Sequence, residues 1–455
     1  MFRTQWFPVL ALLALPCLAG ADWPEFRGAG GAAISADAGL PDHWDKSTNL
    51  LWKVKLPGQG ASSPIVSGDR VYVTCYTGEP GRLTRQLVCV NRKEGEIVWT
   101  KEIKSNTDEA SYSGQMTQHG YASNTPATDG MRIYVFLGTA GVYAFDLDGN
   151  ELWKHSVGNG TDQWGTGSSV RLFDDLVIVD AAIESGKVVA LDKATGEEKW
   201  TFRVARRSWS TPAVVETAGR KELVVSSEGR ISGLDRNGKE VWHCEGLRGY
   251  TCPSVIPGDG VAYVCGGGPQ GMTQVAVRGG GSGDVSATHV LWRERGGANV
   301  PTPVVYKGHL FGVLDRGIAF CVNAETGKSD YQQRLQASLE PAATLNQSVQ
   351  PVAFQPPPGG RGRRGMGGRG GFPGGGGFGG GGLSFYASAV AADDKIFIPS
   401  RTSGVFVLAA DPEFKLLARN KFEGDNSRFD GTPAISDGQL FLRSNQYLYC
   451  VGEKK

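Results

Sequence analysis

The sequence predicts an all-β protein: an eight-bladed β-propeller of four-stranded antiparallel blades, closed by a strand from near the N-terminus. Three observations predict it. One order of short strands recurs along the chain at the spacing of a propeller blade, and a Trp recurs at one offset within it. The final unit stops short of its fourth strand, while an orphan Trp-containing strand precedes the first unit.

The clearest unit reads Ser210-Thr-Pro-Ala-Val-Val, Lys221-Glu-Leu-Val-Val-Ser, Arg230-Ile-Ser-Gly-Leu-Asp and Asn237-Gly-Lys-Glu-Val-Trp242. These pieces are an innermost strand opened by Thr-Pro, two short alternating strands, a Gly turn and an outer strand containing Trp. Equivalent innermost positions are Pro64, Pro126, Val170, Pro212, Val255, Pro303, Ala389 and Pro433. Most successive gaps are 42 to 48 residues, and those of 62 and 86 carry insertions. The third strand and its turn recur as Cys89-Val-Asn to Gly95, Ala144-Phe-Asp to Gly149, Ala190-Leu-Asp to Gly196, Gly233-Leu-Asp to Gly238 and Cys321-Val-Asn to Gly327. In each turn Asp or Asn can accept backbone N–H groups, and Gly can take the positive φ that reverses the chain.

The repeat tryptophans are Trp99, Trp153, Trp200, Trp242 and Trp292, with Tyr331 in the sixth unit and Leu416 and Leu417 in the seventh. Regular spacing makes them wedges between blades, each contributing several kcal/mol of packing at ~25 cal/mol per Å². The eighth unit ends at Tyr449-Cys450-Val451, and the segment Asn49 to Lys55 around Trp52 supplies the missing strand. Pairing the two hides both sheet edges. Seven blades is the alternative count, because the fifth and seventh units are degenerate. A solenoid would need caps instead of a shared blade, and a two-layer sandwich would not need eight copies of one strand order.

Residues 1–21 read as a signal peptide: Arg3, an apolar run from Trp6 to Leu15, then Ala19-Gly20-Ala21. Pro16 before Cys17 disfavours a lipoprotein signal. The expectation is therefore a periplasmic or otherwise exported protein, with residues 22–455 forming one propeller and no transmembrane anchor. Loss of Arg3 would take the net charge from +1 to zero, so no general attraction to nucleic acid or anionic lipid follows. A polar insertion is expected at 101–122, and a disordered Gly-rich loop at about 356–384. Sixteen of the residues from 359 to 382 are Gly, too little side chain to build a core. The four Arg residues in that tract would suggest RNA inside a cell, a partner that an exported chain seldom meets.

Seven cysteines would remain after export. Cys89, Cys321 and Cys450 occupy a third-strand position that elsewhere holds Ala or Gly, so they read as small core residues. Cys75 and Cys89 lie on neighbouring strands of one hairpin, where a disulfide is the alternative. His243, Cys244 and Cys252 lack the spacing of a metal site.

Asp22-Trp-Pro-Glu-Phe-Arg-Gly28, followed by the Trp and Asp-x-x-x-Gly repeats, resembles exported bacterial proteins of the pyrroloquinoline-quinone-like (PQQ-like) repeat group, and its opening looks like one common among planctomycetes. The resemblance covers the chain after residue 21 except the Gly-rich loop. It implies either a quinone-dependent alcohol or sugar dehydrogenase, or a noncatalytic propeller similar to the lipoprotein that assists outer-membrane β-barrel assembly. The dehydrogenases carry adjacent cysteines over the quinone, a Trp beneath it, Ca²⁺ ligands and an Asp base. No Cys-Cys pair occurs here, and no Ca²⁺ ligand can be transferred by position.

No catalytic residue, cofactor or metal is therefore expected. A PQQ–Ca²⁺ oxidoreductase with an atypical site is the alternative. Binding at one channel mouth is expected from residues out of phase with the repeat: His119, Tyr121, Trp164, Arg207, Trp209, Arg248, Tyr250, Arg428 and Asp430. Aromatic faces and Arg forks there suit an extended or anionic partner. The expected role is a noncatalytic envelope scaffold. Its expected partner is an envelope or periplasmic protein, with a glycan or polyanion as the alternative.

Overall fold

The computed structural model describes residues 22–79, 81–104, 109, 113, 119–205, 207–217, 219–268, 271–335 and 383–453. The expected signal peptide, residues 105–108, 110–112 and 114–118 of the polar insertion and the glycine tract at 356–382 lie outside the described residues.

The described strands form eight sheets, seven of them built on four antiparallel strands in sequence order from the inside outward. Blade one holds Ile65–Ser67, Arg70–Thr77, Thr84–Asn91 and Ile97–Lys104, so its outer strand takes up residues 101–104 that the polar pattern assigned to an insertion. Blade three, with Arg171–Phe173, Leu176–Ala181, Lys187–Asp192 and Glu198–Arg203, typifies the rest. In blade eight the outer strand is Leu50–Lys55, paired antiparallel with Tyr447–Val451. The ring is closed by the N-terminal strand, as the missing final strand predicts.

Every outer strand carries a β-bulge at the same register, immediately before the Trp position. The bulge bends and twists the strand, which aims the indole at the next blade. Directly opposite each Trp on the third strand stands a small residue: Trp99 faces Cys89, Trp153 faces Ala144, Trp200 faces Ala190 and Trp52 faces Cys450. The indole over that position leaves room for Gly, Ala or Cys only. The described cysteines are all free thiols. Cys75 is paired in register with Gln86, and Cys89 with Tyr72, so the two do not face each other across the hairpin.

The recurring turn has a partner too. Trp153 Nε1 donates to the Lys193 carbonyl of the next blade (3.0 Å), and its ring lies against Gly196. Trp52, Trp99, Trp200 and Trp292 donate likewise to Arg92, Leu147, Arg236 and Ala324, each one residue after the turn Asp or Asn. Gly196 has φ +73°, and a Cβ there would stand 2.6 Å from the Trp153 ring. The Asp–Gly turn of one blade is thus the seat for the Trp of the blade before it.

Trp242 departs from this scheme. Blade five replaces the tight turn with a loop whose Gly283–Asp284 adds a parallel fifth strand to blade four. With no turn carbonyl to reach, Trp242 is fully buried and donates to Glu222 Oε2 at 2.7 Å. In blade six Tyr331 takes the Trp role, edge-on to Phe414 of blade seven at 5.4 Å.

Candidate functional site

The channel is built on a ring of hydroxyls. The residue just before each innermost position is Ser or Thr in strict alternation: Ser63, Thr125, Ser169, Thr211, Ser254, Thr302, Ser388 and Thr432. The backbone N–H of each donates to the side-chain oxygen of the next, and Thr432 N–H returns to Ser63 Oγ. All eight bonds are 2.9–3.1 Å, a closed circuit with one bond per blade junction. An amide buried at the axis without such a partner would cost about 1–3 kcal/mol. The motif reading took Thr-Pro as a strand opener and missed the ring. Its signal is readable one residue before every repeat position.

The segment Trp23 to Leu40 floors this channel. Trp23 pairs with Val66 of blade one, and the Pro24 carbonyl accepts Thr128 N–H of blade two. Buried Glu25 is ion-paired with Arg171 (Nη1 to Oε1, 2.7 Å) and accepts from Leu172 N–H in blade three. Arg27, fully buried, then donates across the axis to the carbonyls of Thr302, Pro303 and Ala389. Gly31 has φ +86°, and a Cβ there would lie 2.5 Å from Arg171 Nη2. The chain next bridges to Ala391 of blade seven before leaving for the closing strand. Phe26, at the middle of this crossing, forms part of the cavity wall.

The cavity on the axis measures about 160 Å³ and is lined from Phe26, through six ring residues, to the opposite mouth. There Trp164, Trp209 and Tyr250 meet, with centroids 6.1–6.3 Å apart and ring planes at 37°, 58° and 89°. Trp209 Nε1 donates to the Gly165 carbonyl at 2.7 Å. His119 also lines the cavity. Its Nε2–H donates to the Trp164 carbonyl and its Nδ1 accepts from Ser123, both at 2.7 Å. Burial holds the imidazole below its usual pKa, so it is neutral and fixes the Trp164 loop. Asp430, on the facing wall, accepts from Arg401 Nε at 2.7 Å and has Arg428 at 3.8 Å. Arg401 stacks over Tyr386, another wall residue, at 4.3 Å.

The structure thus brings together Trp164, Trp209, Tyr250, His119 and Asp430, with Arg428 beside Asp430. Tyr121 is elsewhere: buried, edge-on to Tyr76 at 5.3 Å, its carbonyl accepting from Arg85. Arg207 and Arg248 are exposed on the rim and contribute nothing to the cavity lining. Tyr386, Arg401 and Phe26 belong to the site but carry no repeat-breaking signal of their own. Cys252 also lines the wall, and burial pushes its thiol up to about 12.

A pyrroloquinoline quinone with a divalent ion does not fit this lining. The cofactor is flat and bears three carboxylates, whereas the three mouth rings pack against one another at 37–89°. Arg401 is engaged by Asp430, whose own charge would oppose the cofactor's. Among the described residues no three His, Cys, Asp or Glu side chains converge as metal donors.

Residues 45–220 and 139–266 match the family model described as outer membrane protein assembly factor BamB, of the PQQ repeat type. Over residues 45–266 the chain is thus similar to PQQ-like, BamB-like β-propellers. Among curated proteins, outer membrane protein assembly factor BamB of Burkholderia pseudomallei is 30% identical over 146 residues, covering 32% of this chain and 31% of that protein. Polyvinylalcohol dehydrogenase of a Pseudomonas species is 22% identical over 232 residues, covering 47% of this chain and 31% of the enzyme. The chain thus spans about a third of the length of the curated relatives it matches. Among solved structures, BamB from Moraxella catarrhalis superposes with a TM-score of 0.54 at 12% identity, over 89% of this chain and 97% of that one. A europium-containing methanol dehydrogenase shares the architecture, with a TM-score of 0.58 at 9% identity over 95% of this chain and 98% of that one.

Proposed function

We propose that this protein is a noncatalytic recognition protein of the cell envelope, exported and acting as an interaction scaffold, whose partner docks at the aromatic channel mouth. The observation that carries the reading is the cluster of Trp164, Trp209 and Tyr250 above a channel floored by its own N-terminal segment. A floored channel has one way in. Aromatic rings at that mouth offer large, stiff contact area at small entropic cost. The similarity to outer-membrane assembly factors supports an envelope setting, and the apolar leader supports export. In the described residues no helix is long and apolar enough to cross a membrane. The similarity to a polyvinylalcohol dehydrogenase favours a quinone-dependent oxidoreductase instead, but the donor set does not suit that cofactor.

Tagged protein and its Trp209→Ala variant, compared in capture from envelope extracts, test the reading. The wild type is expected to retain a reproducible envelope component, and the variant to retain at least about tenfold less with an unchanged unfolding midpoint. Equal capture by both proteins, or none by either, overturns it.

A further inference from the structure

The channel floor holds chemistry that the mouth reading does not use. Each of the eight ring hydroxyls accepts one amide N–H, and among the described residues none has an acceptor for its own proton. A hydroxyl that has accepted one bond can still donate one and accept another. Six of these residues line the cavity, so they present a crown of donors and second lone pairs to a guest there, below a wall of aromatic rings.

Charge narrows the guest. Asp430, a wall carboxylate, is held by Arg401 and Arg428, and His119 is neutral and committed to the Trp164 carbonyl. The lining thus offers no uncompensated charge to replace the water around an ion, and an unpaired buried ion is costly. A purely apolar guest would leave the crown's protons unmet. What fits is a neutral molecule with apolar C–H faces for Trp164, Trp209 and Tyr386 and a rim of hydroxyls for the crown. Because Phe26 and Arg27 block the far side, such a molecule enters end first.

We propose that the pocket binds the uncharged terminal sugar of an envelope saccharide, with the ring hydroxyls taking its hydroxyl groups and the mouth aromatics its C–H faces. This rests on the reading that the mouth is the recognition site, and it names the partner's chemistry. The probes are a glucose trimer and an N-acetylglucosamine trimer, with a galacturonic acid trimer and inorganic phosphate as anionic counterparts. Binding is read by tryptophan fluorescence and calorimetry on the full-length protein, Trp209→Ala, Thr302→Val and Thr302→Ser. Thr302→Val removes one hydroxyl, and Thr302→Ser keeps it and controls for folding.

A neutral trimer is expected to bind the wild type and Thr302→Ser alike, with Thr302→Val weakened about tenfold and Trp209→Ala about thirtyfold. Neutral binding indifferent to Thr302→Val overturns the role of the crown. Binding of the anions alone overturns the ligand class. No saccharide binding, alongside Trp209-dependent capture of a sugar-free envelope protein, overturns this inference while leaving the mouth as the recognition site.

Discussion

Replacing Arg27 by alanine is expected to cost about 3–5 kcal/mol in urea unfolding, among the largest effects of any single change in the N-terminal segment. Its guanidinium is fully buried and donates to the carbonyls of Thr302, Pro303 and Ala389, tying the crossing segment to blades six and seven. Burial pulls its pKa down to about 9, the mark of a cation held by carbonyl dipoles with no carboxylate beside it. Arg27→Ala removes that tie and leaves the carbonyls facing a void. Arg27 also sits at φ +65°. Arg27→Gly should therefore recover about 1 kcal/mol of the loss, because glycine takes that conformation without strain. A loss below about 1 kcal/mol for Arg27→Ala would show that the segment is not pinned across the axis.

Asp180→Asn is expected to flatten the dependence of stability on pH. Asp180 is buried where blade three meets the loop carrying Trp209, and burial pushes its carboxyl up to about 8. As the neutral acid it donates to Ser208 Oγ (2.9 Å), which passes a bond to the Ser226 carbonyl (3.1 Å), while Ala182 N–H donates to its other oxygen. The unfolded chain would ionise this group near the ordinary value of 3.8. The folded state thus binds the extra proton between those limits. Its contribution is complete below about pH 4 and is lost as pH rises through about 8. Asparagine reproduces both hydrogen bonds without a charge. The variant should exceed the wild type at pH 8 by on the order of a few kcal/mol and fall little between pH 4 and 8. Glu184, pushed up to about 7 by burial, would leave a smaller residual slope. Parallel wild-type and variant curves in chemical denaturation across that range would contradict the assignment.

Much of the ring was legible because a repeat that packs only against copies of itself must repeat its contacts. Trp52 before the first unit and the truncated Tyr449-Cys450-Val451 unit meet in one blade, as their complementary gaps imply. The small third-strand residues each faced a large ring, an indole or, for Cys321, the Tyr331 phenol, which is why their size repeated. Three features do not follow from the repeat alone. Trp242 keeps the repeat spacing, yet the loop that displaces its partner turn belongs to the following blade. The hydroxyl circuit uses Ser and Thr, residues common in any loop, and only the alternation of Ser63 through Thr432 gives it away. Arg207 and Arg248 stood at the same sequence level as Trp209 and Tyr250, but level along a blade does not determine which way a side chain turns from the axis. Trp209 turns inward to Gly165, while both arginines remain in solvent.

The most direct test of a one-mouthed recognition channel is site-specific photocrosslinking. A benzophenone side chain is placed at position 164 in the mouth, and separately at position 131, an exposed turn at the opposite face beside the floor. On irradiation in envelope extract, the protein is expected to form a discrete adduct from position 164 and none from position 131. Adducts from position 131 alone, or equal adducts from both, would contradict the account.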